Sequence, residues 1–276
     1  MMPKLGFSLQ KQYDRPMEDV LALLKDAGFS AVSPIYAHKA ELPQIAACVR
    51  DLGMDLQSFH APNRIAPLWE QGHTLVFDEI VECIDLCETY HIPTVIVHSW
   101  QGLEYTFPGE PLYYGHFDRL VEYAQQHHVS IAFENLEGEE YLDALMARYR
   151  NCDHVGFCWD SGHEHCYPHK LDFLQEFGDR LIMTHLNDNL GLRDPGGVPT
   201  GVDDLHYLPW DGKIDWETNL NKLAKAKKQE ILNFEIKIKS ISDDPKDMIY
   251  AKMSTEDFIS LAGTRARQLA QRYAAI

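Results

Sequence analysis

Residues 130–136 read SIAFENL, an apolar run on both faces that ends on a carboxylate and an amide. A strand with one face in water alternates polar and apolar residues, whereas one covered on both faces reads as a continuous apolar run, the pattern of a parallel sheet. Seven further β-rich segments share this character: KLGFSL (4–9), AVSPIYA (31–37), DLQSFHA (55–61), TVIVHSW (94–100), VGFCWDS (155–161), LIMTHLN (181–187) and EILNFEI (230–236). Most are separated by stretches with a 3.6-residue period. Between the first two, Met17, Val20, Leu21, Leu24 and Ala27 mark one helical face, and Gly28 closes that helix as Gly53 closes the next. A helix over about 74–90 carries Val76, Ile80, Ile84 and Cys87 on one stripe, and a last one over about 254–273 starts at the cap Ser254-Thr255-Glu256-Asp257.

Parallel strands need crossover connections, and eight strand–helix units close into a single (β/α)8 TIM barrel. A doubly wound open sheet is the competitor, but no strand is followed by G-x-G-x-x-G or a P-loop. The span before the eighth strand contains RDPGGVPTG (193–201), loop by composition. With no tandem repeat, low-complexity tract or linker, one domain over residues 1–276 is expected.

Composition narrows the function classes. The chain has 42 acidic against 25 basic residues, a net charge of −17, which argues against a non-specific nucleic-acid or anionic-membrane binder. Its start, MMPKLGFSLQKQ, lacks the apolar core of a secretory signal, and no stretch approaches 18 apolar residues, so no membrane partner and a cytoplasmic location are expected. Six cysteines without C-x-x-C spacing read as buried reduced thiols. The unusual number is 14 histidines, residues that ligate metals and move protons near neutral pH.

In a barrel the active site lies at the C-terminal ends of the strands. Those ends carry His60, His98, Glu134, Asp160 with His163, and His185; the loop after the seventh strand adds Asp204 and His206, and the eighth strand ends in Glu235. A lone histidine at a strand end is more often a hydrogen-bonded core residue than a ligand. Glutamates inside apolar strands are harder to dismiss, because a buried carboxylate without a partner costs several kcal/mol. Three carboxylates on the fifth, sixth and eighth strands would repel one another unless a cation sat between them.

The segments SFHAP, IVHSW, FENLEG, WDSGH, THLND, DDLHYLP with WDGKIDW, and NFEIK, each after its own strand, resemble the xylose-isomerase-like barrels. That superfamily includes sugar and sugar-phosphate isomerases and epimerases, inosose isomerases and dehydratases, and endonuclease IV. The resemblance implies a divalent metal (Zn, Mn, Mg or Co) held by Glu134, Asp160, His185 and Glu235, as in ketose epimerases. The endonuclease IV branch, with three zinc ions, would also use His60, His98, His163, Asp204 and His206, so one to three ions per chain are expected.

The isomerase branch implies a metal acting as Lewis acid on a substrate carbonyl, with Glu134 and Glu235 as the catalytic pair that removes and returns a proton. His163, Trp100 and Arg193 are then expected to contact substrate, with Trp69, Tyr105, Phe107, Tyr113 and Tyr114 as further apolar walls. The endonuclease branch must grip duplex phosphates, yet the loops read EGEE (137–140) and QGLEYTFPGEP (101–111), rich in carboxylates and without a lysine or arginine. The expectation is therefore a homo-oligomeric, metal-dependent isomerase, epimerase or dehydratase of a small sugar, sugar phosphate or cyclitol, with abasic-DNA phosphodiesterase as the alternative.

Overall fold

A computed structural model describes residues 2–11, 13–103, 105–109, 111–194, 196–239, 242 and 244–276. The strands are β1 (Lys4–Ser8), β2 (Ala31–Ser33), β3 in two short pieces (Asp55–Leu56 and Phe59–His60), β4 (Thr94–His98), β5 (Ser130–Glu134), β6 (Val155–Asp160), β7 (Leu181–His185) and β8 (Ile231–Phe234). All pair in parallel. One ladder runs from the first piece of β3 through β2 and β1 to β8, and the other from the second piece of β3 through β4, β5 and β6 to β7. Bridges at Ile35–His60 and Leu186–Phe234 join the two ladders, so the strands close into a ring in chain order. This is the TIM barrel expected from the apolar runs.

The strands are shorter than those runs, for local reasons. β2 stops at Ser33 because Pro34 has no N–H for the ladder, and Tyr36–His38 form a 3-10 turn instead. β3 breaks at Gln57–Ser58, where its pairing passes from β2 to β4. Between β6 and β7 the register slips: Phe157 faces Leu181 but Cys158 faces Met183, leaving Ile182 as the extra residue of a bulge. The slip brings Asp160 level with His185.

The helices are α1 (Met17–Asp26), α2 (Leu42–Asp51), α3 (Leu75–Thr89), α4 (Gly115–Gln126), α5 (Glu139–Arg148), α6 (Ser161–Cys166), α7 (Phe173–Phe177), α8 (Trp216–Leu223) and α9 (Thr255–Ala275). Gly28 and Gly53 adopt φ of 94° and 60°, the left-handed conformation that ends α1 and α2. Ser254 caps α9 by accepting the N–H of Asp257. Outward-facing Phe7, Phe133, Phe157 and Phe234 lie under the helices, fully or almost fully buried. Each such side chain stabilises the fold by roughly 1.5–3 kcal/mol.

Inside the ring the two halves differ. β4 to β7 contribute Ile96, Ala132, Cys158 and Met183, an apolar plug separate from the outer core. The other half contributes hydrogen-bonded polar groups: Asn233 Nδ2 donates to Ser33 Oγ at 2.7 Å, and Ser58 Oγ donates to the same oxygen at 2.9 Å. The site sits on this floor. All six cysteines are unpaired thiols. Among the described residues no helix is long and apolar enough to cross a membrane.

Candidate metal centre

Strand alternation aims the chemistry. In β5, Ile131 and Phe133 pack outward, so Ala132 and Glu134 point into the ring, and Glu134 lies level with His98 of β4. Glu134 is fully buried. Its Oε1 lies 2.7 Å from His185 Nδ1, and its Oε2 lies 3.1 Å from His60 Nε2 and 3.3 Å from His98 Nε2. Glu235 approaches the same nitrogen, its Oε2 2.9 Å from His185 Nδ1.

Asp160 caps the short α6: its carboxylate accepts the His163 N–H at 2.7 Å, which sets His163 three residues on beside the site. Asn187 Nδ2 donates to both Asp160 oxygens, at 3.1 and 2.9 Å. Asn135 accepts the Asp160 N–H at 2.7 Å and donates to its carbonyl at 2.8 Å. Gly162 is required here, since a Cβ would stand 1.8 Å from Asn187 Oδ1.

Asp204 and His206 arrive on a hairpin held by Asp188. Asp188 and Tyr207 exchange backbone hydrogen bonds, and the Asp188 carboxylate accepts N–H groups of Asn189, Trp210, Ile214 and the Trp216 indole at 2.8–3.0 Å. Asp204 Oδ2 then lies 2.7 Å from His206 Nε2 and 3.5 Å from His163 Nε2.

The structure thus brings all nine strand-end donors onto one rim. They fall into adjoining groups whose ligand atoms lie within 4.8 Å of one another: His60, His98 and Glu134; Glu134, Asp160, His185 and Glu235; and His163, Asp204 and His206. Glu134 is shared by the first two. The buried His98 Nδ1 and Asp204 Oδ1 have no hydrogen-bond partner among the described residues. Four carboxylates, two of them buried and two half-buried, five imidazoles and these orphaned atoms fit divalent cations.

The electrostatics agree. Burial opposes ionisation of Glu134, but His185, His60 and His98 outweigh it and hold its carboxyl well below the usual range. Burial likewise disfavours the charge on Asp204, and His206 and His163 overcome it. At Asp160 burial wins and the carboxyl titrates above its ordinary range, despite His163. Burial pushes His185 down, while Cys158, Glu134 and Glu235 pull it well up. Among the imidazoles, His163 and His185 are the ones whose neighbouring carboxylates favour the protonated form against burial, and a bound cation would take the place of those protons.

Above the donors opens a cavity of about 640 Å³. His60, His98, His163, Asp204, His206 and Glu235 line it, whereas Glu134, Asp160 and His185 lie beneath at no more than 1% exposure. Two expected substrate contacts are turned elsewhere. Trp100 stacks flat on Tyr141 at 4.3 Å and its indole donates to the Gly102 carbonyl, because a large ring buries more area against another ring than against an open cavity. Arg193 is drawn to the buried Asp247 carboxylate, and its guanidinium also donates to Ser242 Oγ and the Val202 carbonyl. Trp69, Tyr105 and Phe107 pack around Tyr141 of α5 in the same way, and Tyr113 packs on His116. The cavity walls include Tyr36, Asn63, Glu137, Tyr167 and Lys237. Of these, Lys237 had a sequence signal, two positions past Glu235 in the strand alternation; Tyr36, Asn63 and Tyr167 sit in turns where period says nothing.

The profile of the xylose isomerase-like TIM barrel family matches residues 21–254. The chain belongs to that family. A relative described as the uncharacterized protein y4fM of Sinorhizobium fredii is 29% identical over 269 residues, covering 82% of this chain and 83% of that protein. Among solved structures, the barrel resembles the IolI protein with a bound zinc atom, at a TM-score of 0.79 and 18% identity over 99% of this chain and 100% of that one. It also resembles L-ribulose 3-epimerase, at a TM-score of 0.71 and 14% identity, covering 99% and 97% of the two chains. At such identities the structures establish that this xylose isomerase-like chain shares their fold.

Proposed function

We propose that this protein is a divalent-metal-dependent isomerase or epimerase, with dehydration as a related outcome, that moves a proton next to the carbonyl of a small sugar or cyclitol. One observation carries the reading: Glu235 lines the cavity with its carboxylate 2.9 Å from His185, while Glu134, Asp160 and His185 form the floor beneath it. The family and its epimerase neighbours support it. Glu134, Asp160, His185 and Glu235 would hold the metal, whose chemistry is to polarise a substrate carbonyl and acidify the adjacent C–H.

The chain's own groups supply the rest. Glu235, held below the usual carboxylate range chiefly because His185 outweighs its burial, is ionised at neutral pH and open to the cavity, so it is the base that takes the proton. Glu134 shares both its oxygens among three histidines and is shut off from the cavity, so its first duty is to hold the floor. Returning the proton then falls to it only after one of those contacts loosens. His163, with Nδ1 2.9 Å from the Asn135 carbonyl and Nε2 3.5 Å from Asp204, lines the cavity and would meet a substrate oxygen where that contact with Asp204 gives way.

The test is hydrogen exchange. Protein loaded with zinc, manganese, magnesium or cobalt is incubated in D2O with a panel of ketoses and inososes, and deuterium entry beside the carbonyl is read by NMR. Exchange is expected for at least one ligand, and Glu235→Gln, assayed at saturating metal with its metal content measured alongside, should slow it by at least about 100-fold, as loss of a general base does. No exchange from any ligand, or full exchange in the variant, overturns the reading.

A second reading, a phosphodiesterase of the endonuclease IV type, draws on the three adjoining donor groups, which suffice for three ions. Against it, Lys237 is the one lysine or arginine among the described residues lining the cavity, beside Glu137, Asp204 and Glu235. Duplex DNA needs several phosphates neutralised. Three zinc ions per chain with nicking of abasic duplex that weakens steeply with salt would favour this alternative.

A further inference from the structure

Two cavity residues outside the donor set carry polar atoms with no partner among the described residues. The first is Glu137, on the loop after β5. Its Oε1 accepts the Gly102 N–H at 2.6 Å, which fixes the carboxylate, while Oε2 is shielded from solvent and has no donor among the described residues. The next residue makes this turn: Gly138 adopts φ of 77°, and a Cβ there would stand 2.8 Å from the Trp100 ring. An unsatisfied carboxylate oxygen is costly, and a ligand hydroxyl entering the cavity is the donor it lacks.

The second is Lys237. Past β8 the chain still alternates: Glu235 faces the cavity, Ile236 is fully buried on the other side, and Lys237 returns to the cavity. Its backbone N–H is pinned to the His206 carbonyl at 2.9 Å, yet its ammonium makes no ion pair or hydrogen bond with a described residue. The ends of β5 and β8 are three strands apart on the ring, so Glu137 and Lys237 reach a bound molecule from different sides.

We propose that Glu137 and Lys237 are the specificity-determining residues of this cavity, and that they select an uncharged polyhydroxylated ketone over its phosphorylated or carboxylated counterpart. The proposal rests on the isomerase reading above. A hydroxyl both donates and accepts, so one polyol satisfies a fixed carboxylate on one wall and an ammonium on another. A phosphate gains Lys237 but meets the fixed Glu137 carboxylate, and like charges brought together weaken binding. A wall built to bond hydroxyls also rejects analogues that lack them, because its own groups are then left unpaired.

The test is calorimetric titration of the metal-loaded full chain with neutral ketoses and inososes, each beside a phosphorylated counterpart, such as D-fructose with D-fructose 6-phosphate. Inorganic phosphate is titrated alone. The wild type should prefer a neutral member at least tenfold, and E137Q and K237M should each weaken it at least tenfold with metal content and melting temperature unchanged. In exchange kinetics the two variants should raise KM more than they lower kcat. A wild type that prefers the phosphorylated ligand or binds no neutral one, or variants that bind as the wild type does, overturns the proposal. Exchange from phosphorylated ketoses alone would remove this inference and leave the isomerase reading standing, whereas binding without any exchange would do the reverse.

Discussion

Asn187 makes no contact with the cavity, yet it holds both oxygens of Asp160 and is itself held where only Gly162 leaves room. Groups that orient a metal ligand set its affinity nearly as strongly as the ligand does. Asn187→Ala should therefore weaken metal binding by about 10- to 100-fold in competition with a chelating dye, and an unchanged affinity would reduce Asn187 to packing. His38 shows the same dependence on neighbours in its protonation. Burial lowers its pKa from 6.5, and its neutral ring is fully used: Nδ1 accepts the Ile35 N–H at 3.2 Å and Nε2 donates to the Gln10 carbonyl at 3.0 Å. The unfolded chain thus binds a proton near pH 6.5 that the folded chain resists, so this stability is present above that pH and is lost as pH falls below it. His38→Gln should lose stability less steeply than the wild type between about pH 7 and 5, read from denaturant midpoints. In the sequence the donors stand out because ionisable residues interrupt apolar runs. Asn187, Asn135 and Asp188 are ordinary polar residues until the fold shows whose atoms they hold.

At the scale of elements, α9 packs against α1 beside the seam where the last strand pairs with the first. Gly263 lies against the end of α1, and a Cβ there would stand 2.3 Å from the Ala27 carbonyl oxygen and 2.9 Å from Ala27 Cβ. Because the obstacle is backbone, it cannot swing away. Gly263→Ala should destabilise the protein by about 1–3 kcal/mol despite alanine's better helix propensity, as a denaturant midpoint would report. Periodicity located α1, α3 and α9 closely, since each presents one apolar stripe to the sheet. It overran β2 and β8, because an apolar run continues past the point where ladder hydrogen bonds cease. The bulge at Ile182 was invisible to it, since the residue is as apolar as its neighbours.

For the whole molecule, the nine donors come from the ends of β3 to β7, from α6, from the hairpin after β7 and from the residue after β8, so cations bound to these groups would tie together segments from residue 60 to residue 235. Anything that binds the folded chain alone stabilises it, by about 2.7 kcal/mol at a hundredfold excess over Kd. Stripping metal with a chelator should lower the melting temperature by roughly 5–10 °C, and adding back the native ion should restore it. A melting curve indifferent to metal, with no metal retained on purification, would contradict the candidate centre.

By itself the sequence determined the barrel and which ionisable residues stand at its strand ends. Apolar runs that alternate with helical stretches read as parallel strands, and carboxylates placed inside them need partners. Tertiary structure alone decided which donors share a site, that Glu134 lies beneath the floor while Glu235 faces the cavity, and that Trp100 and Arg193 turn to other partners. It also decided that Glu137 and Lys237 reach one cavity from loops a hundred residues apart. Strand period states which side of a sheet a residue faces; the nearest competing partner, which only the closed ring supplies, settles where its side chain ends.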